Sequence, residues 1–204
     1  MSLQDDKIGR FSLALKELKG EAHYARNEQE FIRTLESLLI GLDDRRERVV
    51  VCAGLPKKLQ LLVSSRQYQQ SSIQILDGIP GENAVRSCAE AGIGITWAEF
   101  AIVSHGALVE IAYNDVSRLA SSLPYVHIAL VHAERLLDSL PTAMSKVGSI
   151  VRAKGSSSSG PRPVVSIISG PSKTSDIELR LLYGVHGPVS LHVIIVGWPV
   201  DLNC

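Results

Sequence analysis

Apolar positions along this chain keep two rhythms. Near the amino terminus they recur every three or four residues: Phe31, Leu35, Leu38, Leu39 and Leu42 hold the spacing of one helix face. Residues 3 to about 40 therefore read as helices. Asn27 is placed to cap the later one, with Glu30 at the third position of a capping box. Beyond residue 48 the rhythm becomes short unbroken runs. Val49-Val50-Val51-Cys52, ended by Ala-Gly, has the composition of a strand buried on both faces. Pro56 suits the first turn of a helix whose apolar face is Leu59, Leu62 and Val63. Ile73 and Ile75 mark a strand within 71–77, and Glu82 to Ala91 a helix stopped by Gly92. The order βαβα is that of a parallel sheet covered by helices.

The middle of the chain departs from it. From Phe100 to Ala112 two apolar runs flank Ser104-His105-Gly106, which fits a hairpin or a glycine bulge with Gly106 at positive φ. Antiparallel strands here make the sheet a mixed one. Asp115 opens a short helix that Pro124 ends, and Tyr125 to Val131 forms a strand with His127 on the face opposite Val126, Ile128 and Leu130. Ala133 to Val151 reads as helical, interrupted near Pro141, and the Gly/Ser-rich stretch 152–163 as a flexible loop. The strands Val164–Ile168 and Leu191–Val196 then frame a polar stretch. In it Ser175 and Glu178 have capping-box spacing, with Asp176 between them, and Gly184 stands where a C-cap glycine belongs, so a helix is expected from Ser175 to Gly184. The fold class that follows is α/β, three layers with a mostly parallel mixed sheet. One compact domain is expected, residues 1–40 forming a helical cover and 41–204 the α/β body.

Composition narrows the function. With 21 basic and 21 acidic side chains the formal charge is zero, which argues against nucleic acid as a partner. Aromatic residues make up only 5%, too few for a base-stacking surface. The run Arg45-Arg46-Glu47-Arg48 alternates with acids and reads as a solvated face. The cysteines stand far apart at 52, 88 and 204, so no cluster or zinc knuckle is expected within this chain. The amino terminus lacks the apolar core of a signal peptide and no run has the length of a membrane span, which makes the cytoplasm the expected location.

Chemistry concentrates near the carboxyl end. Ser172-Lys173-Thr174, with Gly170 before it, offers hydroxyls, backbone N–H groups and one cation to a small anion such as a carboxylate. His186 and Gly187 follow closely in sequence. His186, His105 and Glu110 are the candidates for a general base or nucleophile, with Gly106 at the neighbouring turn. No metal site is expected, because the spacing of His105, His127 and His186 does not imply convergence. Gly92-Ile93-Gly94 lacks the third glycine of a dinucleotide fingerprint, and Trp97 crowds the place where a phosphate loop would continue.

Ser169-Gly-Pro-Ser-Lys-Thr-Ser-Asp-Ile-Glu, then Gly184-Val-His-Gly-Pro188 and Leu191-His-Val-Ile-Ile, resemble the lactate-utilisation (LUD) domain family, of the lactate utilization protein C type. Arg118-Leu119 and Leu123-Pro124-Tyr-Val-His127-Ile128 carry the likeness through the middle, so that it spans roughly residue 25 onward. The resemblance implies a fold like the NagB/RpiA/CoA-transferase group. It also implies an accessory or ligand-binding role in oxidation of L-lactate, a 2-hydroxy acid, to pyruvate. Iron–sulfur clusters would then lie in partner proteins, with no cofactor in this chain and no turnover expected from it alone. Self-association is left open. One turn departs from the family pattern: where members carry an acidic-Thr-Gly-Ser/Thr sequence, this chain has Ser104-His105-Gly106-Ala107. Two other classes stand beside this reading. One is an independent isomerase or transferase acting on sugar phosphates or acyl-CoA; the other is a regulatory or scaffolding protein without catalysis.

Overall fold

The computed structural model describes residues 2–40, 48–52, 54–64, 72–76, 81–154, 163–175, 181–183 and 187–202. The amino terminus forms helix α1 (Leu3–Glu17), strand β1 (Glu21–Ala25) and helix α2 (Glu28–Ile40). Both helices begin as their sequences direct. Ser2 accepts from the Asp5 amide while Asp5 accepts from the Ser2 amide. Asn27 accepts from the Glu30 amide at 3.0 Å, and the Glu30 carboxylate accepts from the amide of Arg26. Reading 3–40 as helices alone misses β1.

The elements that follow are β2 (Arg48–Val51), α3 (Lys57–Ser64), β3 (Ser72–Ile75), α4 (Gly81–Glu90) and β4 (Ile93–Trp97). Next come β5 (Phe100–Ile102), β6 (Ala107–Ala112), α5 (Asp115–Ser122) and β7 (Val126–His132). Then β8 (Leu136–Leu137), α6 (Leu140–Lys154), β9 (Val164–Ile168), β10 (Lys173–Ser175), β11 (Leu181–Tyr183) and β12 (Ser190–Val196) complete the described fold. Six strands make the central sheet in the order β1-β12-β7-β4-β2-β3, every pair parallel. The antiparallel pairing expected around Gly106 is real, but it sits in a second sheet of order β8-β5-β6-β9.

Three apolar layers hold these parts together. On one face of the central sheet Phe31, Leu35, Leu59 and Val63 from α2 and α3 pack on Ile95, Ile128 and Ile194. The other face, with Ala129, Val131, Val193 and Ile195, meets Phe11 and Leu15 of α1 and Leu108 of the second sheet. The far side of that second sheet, at Phe100, Ile102 and Val109, is closed by Ala143 and Val147 of α6. Phe11 and Phe31 are wholly buried. Burying a side chain of that size contributes about 1.5–3 kcal/mol, so each ties its helix firmly to the sheet.

Two expectations are corrected. The helix from Ser175 to Gly184 is replaced at both described ends by strands, paired antiparallel in the register Lys173↔Tyr183 to Ser175↔Leu181. Capping-box spacing is a local signal, and here the cross-strand ladder prevails; Asp176, Glu178 and Gly184 lie outside the described residues. The helix read from Ala133 instead starts at Leu140, with Pro141 in its first turn, after a short turn and β8. Residues 155–162 of the Gly/Ser-rich stretch, and 45–47 of the basic run, also lie outside the described residues. Among the described residues no helix is long and apolar enough to cross a membrane.

Candidate functional site

A cavity of about 530 Å³ opens beyond the carboxyl ends of β2 and β4. Ligands of open parallel sheets bind at that end of the strands, and the volume is in the usual range for small-molecule sites. Its wall includes Cys52, Thr96, Glu99, Glu110, Tyr113 and Arg135. The central sheet supplies Cys52 and Thr96, and the second sheet supplies Glu110.

Alternation along the strands explains the convergence. With Ile93 and Ile95 turned toward α2 and α3, Thr96 points the other way, as does His127 between Val126 and Ile128. On β6, Leu108 faces the central sheet and Val109 faces α6, so Glu110 faces back toward Thr96. The three side chains meet between the sheets, each no more than 6% exposed. Thr96 Oγ1 contacts Glu110 Oε1 and lies 2.7 Å from His127 Nε2. That same imidazole nitrogen stands 3.4 Å from Glu110 Oε1. A hydroxyl has one proton. If Thr96 donates it to Glu110, His127 Nε2–H donates to Thr96 in turn. The three groups then form one directed chain from imidazole to carboxylate, ending at the cavity wall.

Among the described residues, the one cation of the cavity wall, Arg135, is held by Glu99. Arg135 Nη1 donates to Glu99 Oε1 at 2.7 Å, Nη2 donates to the Leu202 carbonyl at 3.3 Å, and the guanidinium lies over the Phe100 ring. The pair is about a quarter exposed. Burial, together with the Glu110 charge, pushes the Cys52 thiol up to about 12, so it stays protonated at neutral pH. Burial beside Glu99 also raises the Tyr113 phenol. At the start of α5 the Asn114 side chain accepts from the Ser117 amide at 3.0 Å, which fixes that helix end against the cavity.

Among the described candidate site residues of the sequence analysis, only Glu110 lines this cavity. The turn from Gly170 to Thr174 lies at the opposite end of the molecule. It follows Ile168, which pairs with Leu108 at the start of β6, and Ser172 N donates to the Pro188 carbonyl just before β12. Gly170 has φ 79°, and a Cβ there would lie 2.5 Å from the Leu18 carbonyl oxygen, so close packing requires this glycine. Gly106 is alike, at φ 53° against the α1 backbone at Leu15. Ser172 is half-buried with Gly187 beside it, and Lys173 is exposed on β10, next to Thr174. His105 is exposed, its Nδ1 2.7 Å from Ser104 Oγ. His186 lies outside the described residues. Thr96 and His127 were not signalled as partners of Glu110, because spacing alone does not show which faces of two sheets oppose each other.

Known proteins place this architecture. The chain is 33% identical over 128 residues to Lactate utilization protein C of Halalkalibacterium halodurans, covering 63% of this chain and 54% of that protein. To Lactate utilization protein C of Bacillus subtilis it is 32% identical over 121 residues, 59% of this chain and 49% of that one. The chain thus spans about half the length of the curated relatives it matches. A DUF162 family protein from Deinococcus radiodurans has the same fold, with a TM-score of 0.66 at 18% identity over 97% of this chain and 100% of that one. The LUD domain profile matches residues 8–196, from within α1 to the end of β12 and so across both sheets and the cavity between them; the chain belongs to the LUD domain family.

Proposed function

We propose that the chain serves lactate utilisation as the component that binds a small 2-hydroxy or 2-oxo acid, in the cavity between the two sheets. The observation that carries this is the presence of a cation, Arg135, and a separate buried carboxylate, Glu110, on the wall of one cavity. The names of the similar proteins supply the substrate class. Arg135 would exchange its contact with Glu99 for the substrate carboxylate, which a guanidinium binds in a bidentate fork. An ionised Glu110 is an acceptor only, so it holds the hydroxyl of lactate and not the carbonyl of pyruvate. Oxidation of lactate to pyruvate releases two electrons and two protons. Glu110, with Thr96 and His127 behind it, would take the hydroxyl proton. The C2 hydrogen would leave with its electron pair as hydride to an electron-accepting group in the same cavity. That group would release the second proton and hand the two electrons on to iron–sulfur partner proteins. A three-carbon acid fills only part of the cavity, which leaves room for an electron-accepting group.

Calorimetric titration of the purified chain with L-lactate and pyruvate tests this. Arg135→Gln is expected to weaken both acids at least tenfold. Glu110→Gln is expected to move the preference from lactate toward pyruvate, because the amide can donate to a carbonyl. Absence of binding by the unaltered chain, or binding unchanged in both variants, would refute the reading.

A second reading has Glu110 as base or nucleophile of an independent isomerase or acyl transferase. Its burial at the wall of a sizeable cavity favours that too. Turnover of a sugar phosphate or acyl-CoA by the pure chain, abolished in Glu110→Gln, would establish it in place of the first.

A further inference from the structure

At the amino ends of β1 and β12, on the rim opposite the cavity, three potential ligands face one another. Glu21 and His192 are register partners across the parallel pair, and His23 lies two residues farther along β1 on the same face. His192 Nδ1 stands 3.5 Å from Glu21 Oε2, and His23 Nε2 stands 3.9 Å from the same oxygen. The three ligand atoms all lie within 4.8 Å of one another. The rings stack at 5.8 Å between centroids with 28° between their planes.

Those two imidazole nitrogens are buried and neither makes a hydrogen bond. Buried polar atoms are nearly always paired, so two orphans aimed at one carboxylate call for an occupant. We propose that Glu21, His23 and His192 form a binding site for a zinc-class divalent cation. Ligands of tetrahedral zinc sit at about 2.0–2.1 Å from the metal and so about 3.3 Å from each other. The present spacings, all within 4.8 Å, would have to close to that value on binding, through rotation of the exposed Glu21 side chain and of His23.

Second contacts agree. Ser190 Oγ lies 2.9 Å from His192 Nε2. As an acceptor it holds the proton on Nε2 and leaves Nδ1 free to ligate, the arrangement that orients metal-bound histidines. Burial lowers the pKa of both imidazoles, which favours the neutral form that binds metal. A two-nitrogen, one-carboxylate set suits zinc better than magnesium, which prefers an all-oxygen shell. With three protein ligands a fourth position remains, on the side of the exposed Glu21, for water or a small anion. The bound ion would also fasten the edge strand β1 to its neighbour.

Titration of the chelator-stripped chain with Zn²⁺, and with Co²⁺ as an absorbing probe, decides the matter. One ion per chain, a tetrahedral Co²⁺ spectrum and a raised Tm are expected, with no competition from millimolar Mg²⁺. His23→Ala and His192→Ala should each weaken Zn²⁺ at least tenfold, while circular dichroism of the metal-free variants stays native. If His192→Ala fails to fold, His23→Ala on the edge strand alone decides. No saturable binding, equal affinity in the His23 variant, or displacement by Mg²⁺ would overturn the assignment.

Discussion

His127 on β7 and Thr96 on β4 are joined across the parallel ladder, Nε2 to Oγ1, at 2.7 Å. The same hydroxyl reaches Glu110 on the second sheet. One threonine thus satisfies two buried groups from different sheets.

Removing that hydroxyl should therefore be costly out of proportion to its size. Thr96→Val keeps the shape but leaves Glu110 and His127 short of a partner in a buried site. Leaving a buried polar group unsatisfied costs about 1–3 kcal/mol. Urea denaturation should show a loss of that order for Thr96→Val and recovery of most of it in Thr96→Ser. Valine as stable as threonine would show that the hydroxyl does not bridge the sheets.

Gly94 allows α5 to lie directly on β4. A Cβ there would come within 1.8 Å of the Ala120 carbonyl oxygen, whereas the exposed Gly9 of α1 has nothing within 4 Å of its added Cβ. Overpacking of this kind costs about 1–3 kcal/mol, so Gly94→Ala should lower the urea midpoint. Gly9→Ala should raise stability by about 0.5–1 kcal/mol through helix propensity. Equal effects of the two changes would contradict the close packing of α5.

Cys52 gives a pH dependence of known sign. Its thiol titrates at about 12 in the fold against 9.0 for an ordinary cysteine. The unfolded chain therefore loses this proton first as pH rises. The Cys52 contribution is fully present below pH 9 and declines as pH climbs toward 12. Native protein at pH 8 should leave Cys52 unmodified by iodoacetamide, whereas unfolded protein should react at that position. Rapid alkylation of the native thiol would contradict its burial at the cavity.

The parts of the fold legible in the sequence were those where one signal dominates. Val49–Val51 and Val193–Val196 are apolar without a break because both faces of the central sheet are covered. The hairpin at Gly106 was legible because its turn needs a positive φ, and α2 because Asn27 and Glu30 cap it. Strand β1 was hidden: Glu21, His23 and Tyr24 look polar because an edge strand is only partly buried. Ser175 and Glu178 misled because capping spacing is local, while pairing with Leu181–Tyr183 is not. The site divides in the same way. Glu110 is legible as a candidate for its chemistry, but Thr96 and His127 reach it, and Arg135 shares its cavity, only through the stacking of two sheets. The Ser172-Lys173-Thr174 turn has the chemistry of an anion site and follows a strand, yet that strand is β9 of the second sheet and runs away from the cavity.

Where a small acid sits is the most direct test of the proposed role. A crystal of the chain soaked with L-lactate would locate the ligand's carboxylate by its density. The expected position is in the cavity, on the Arg135 guanidinium and with the rest of the molecule toward Glu110. Density at the turn of Ser172 and Lys173, with the cavity left to solvent, would contradict it.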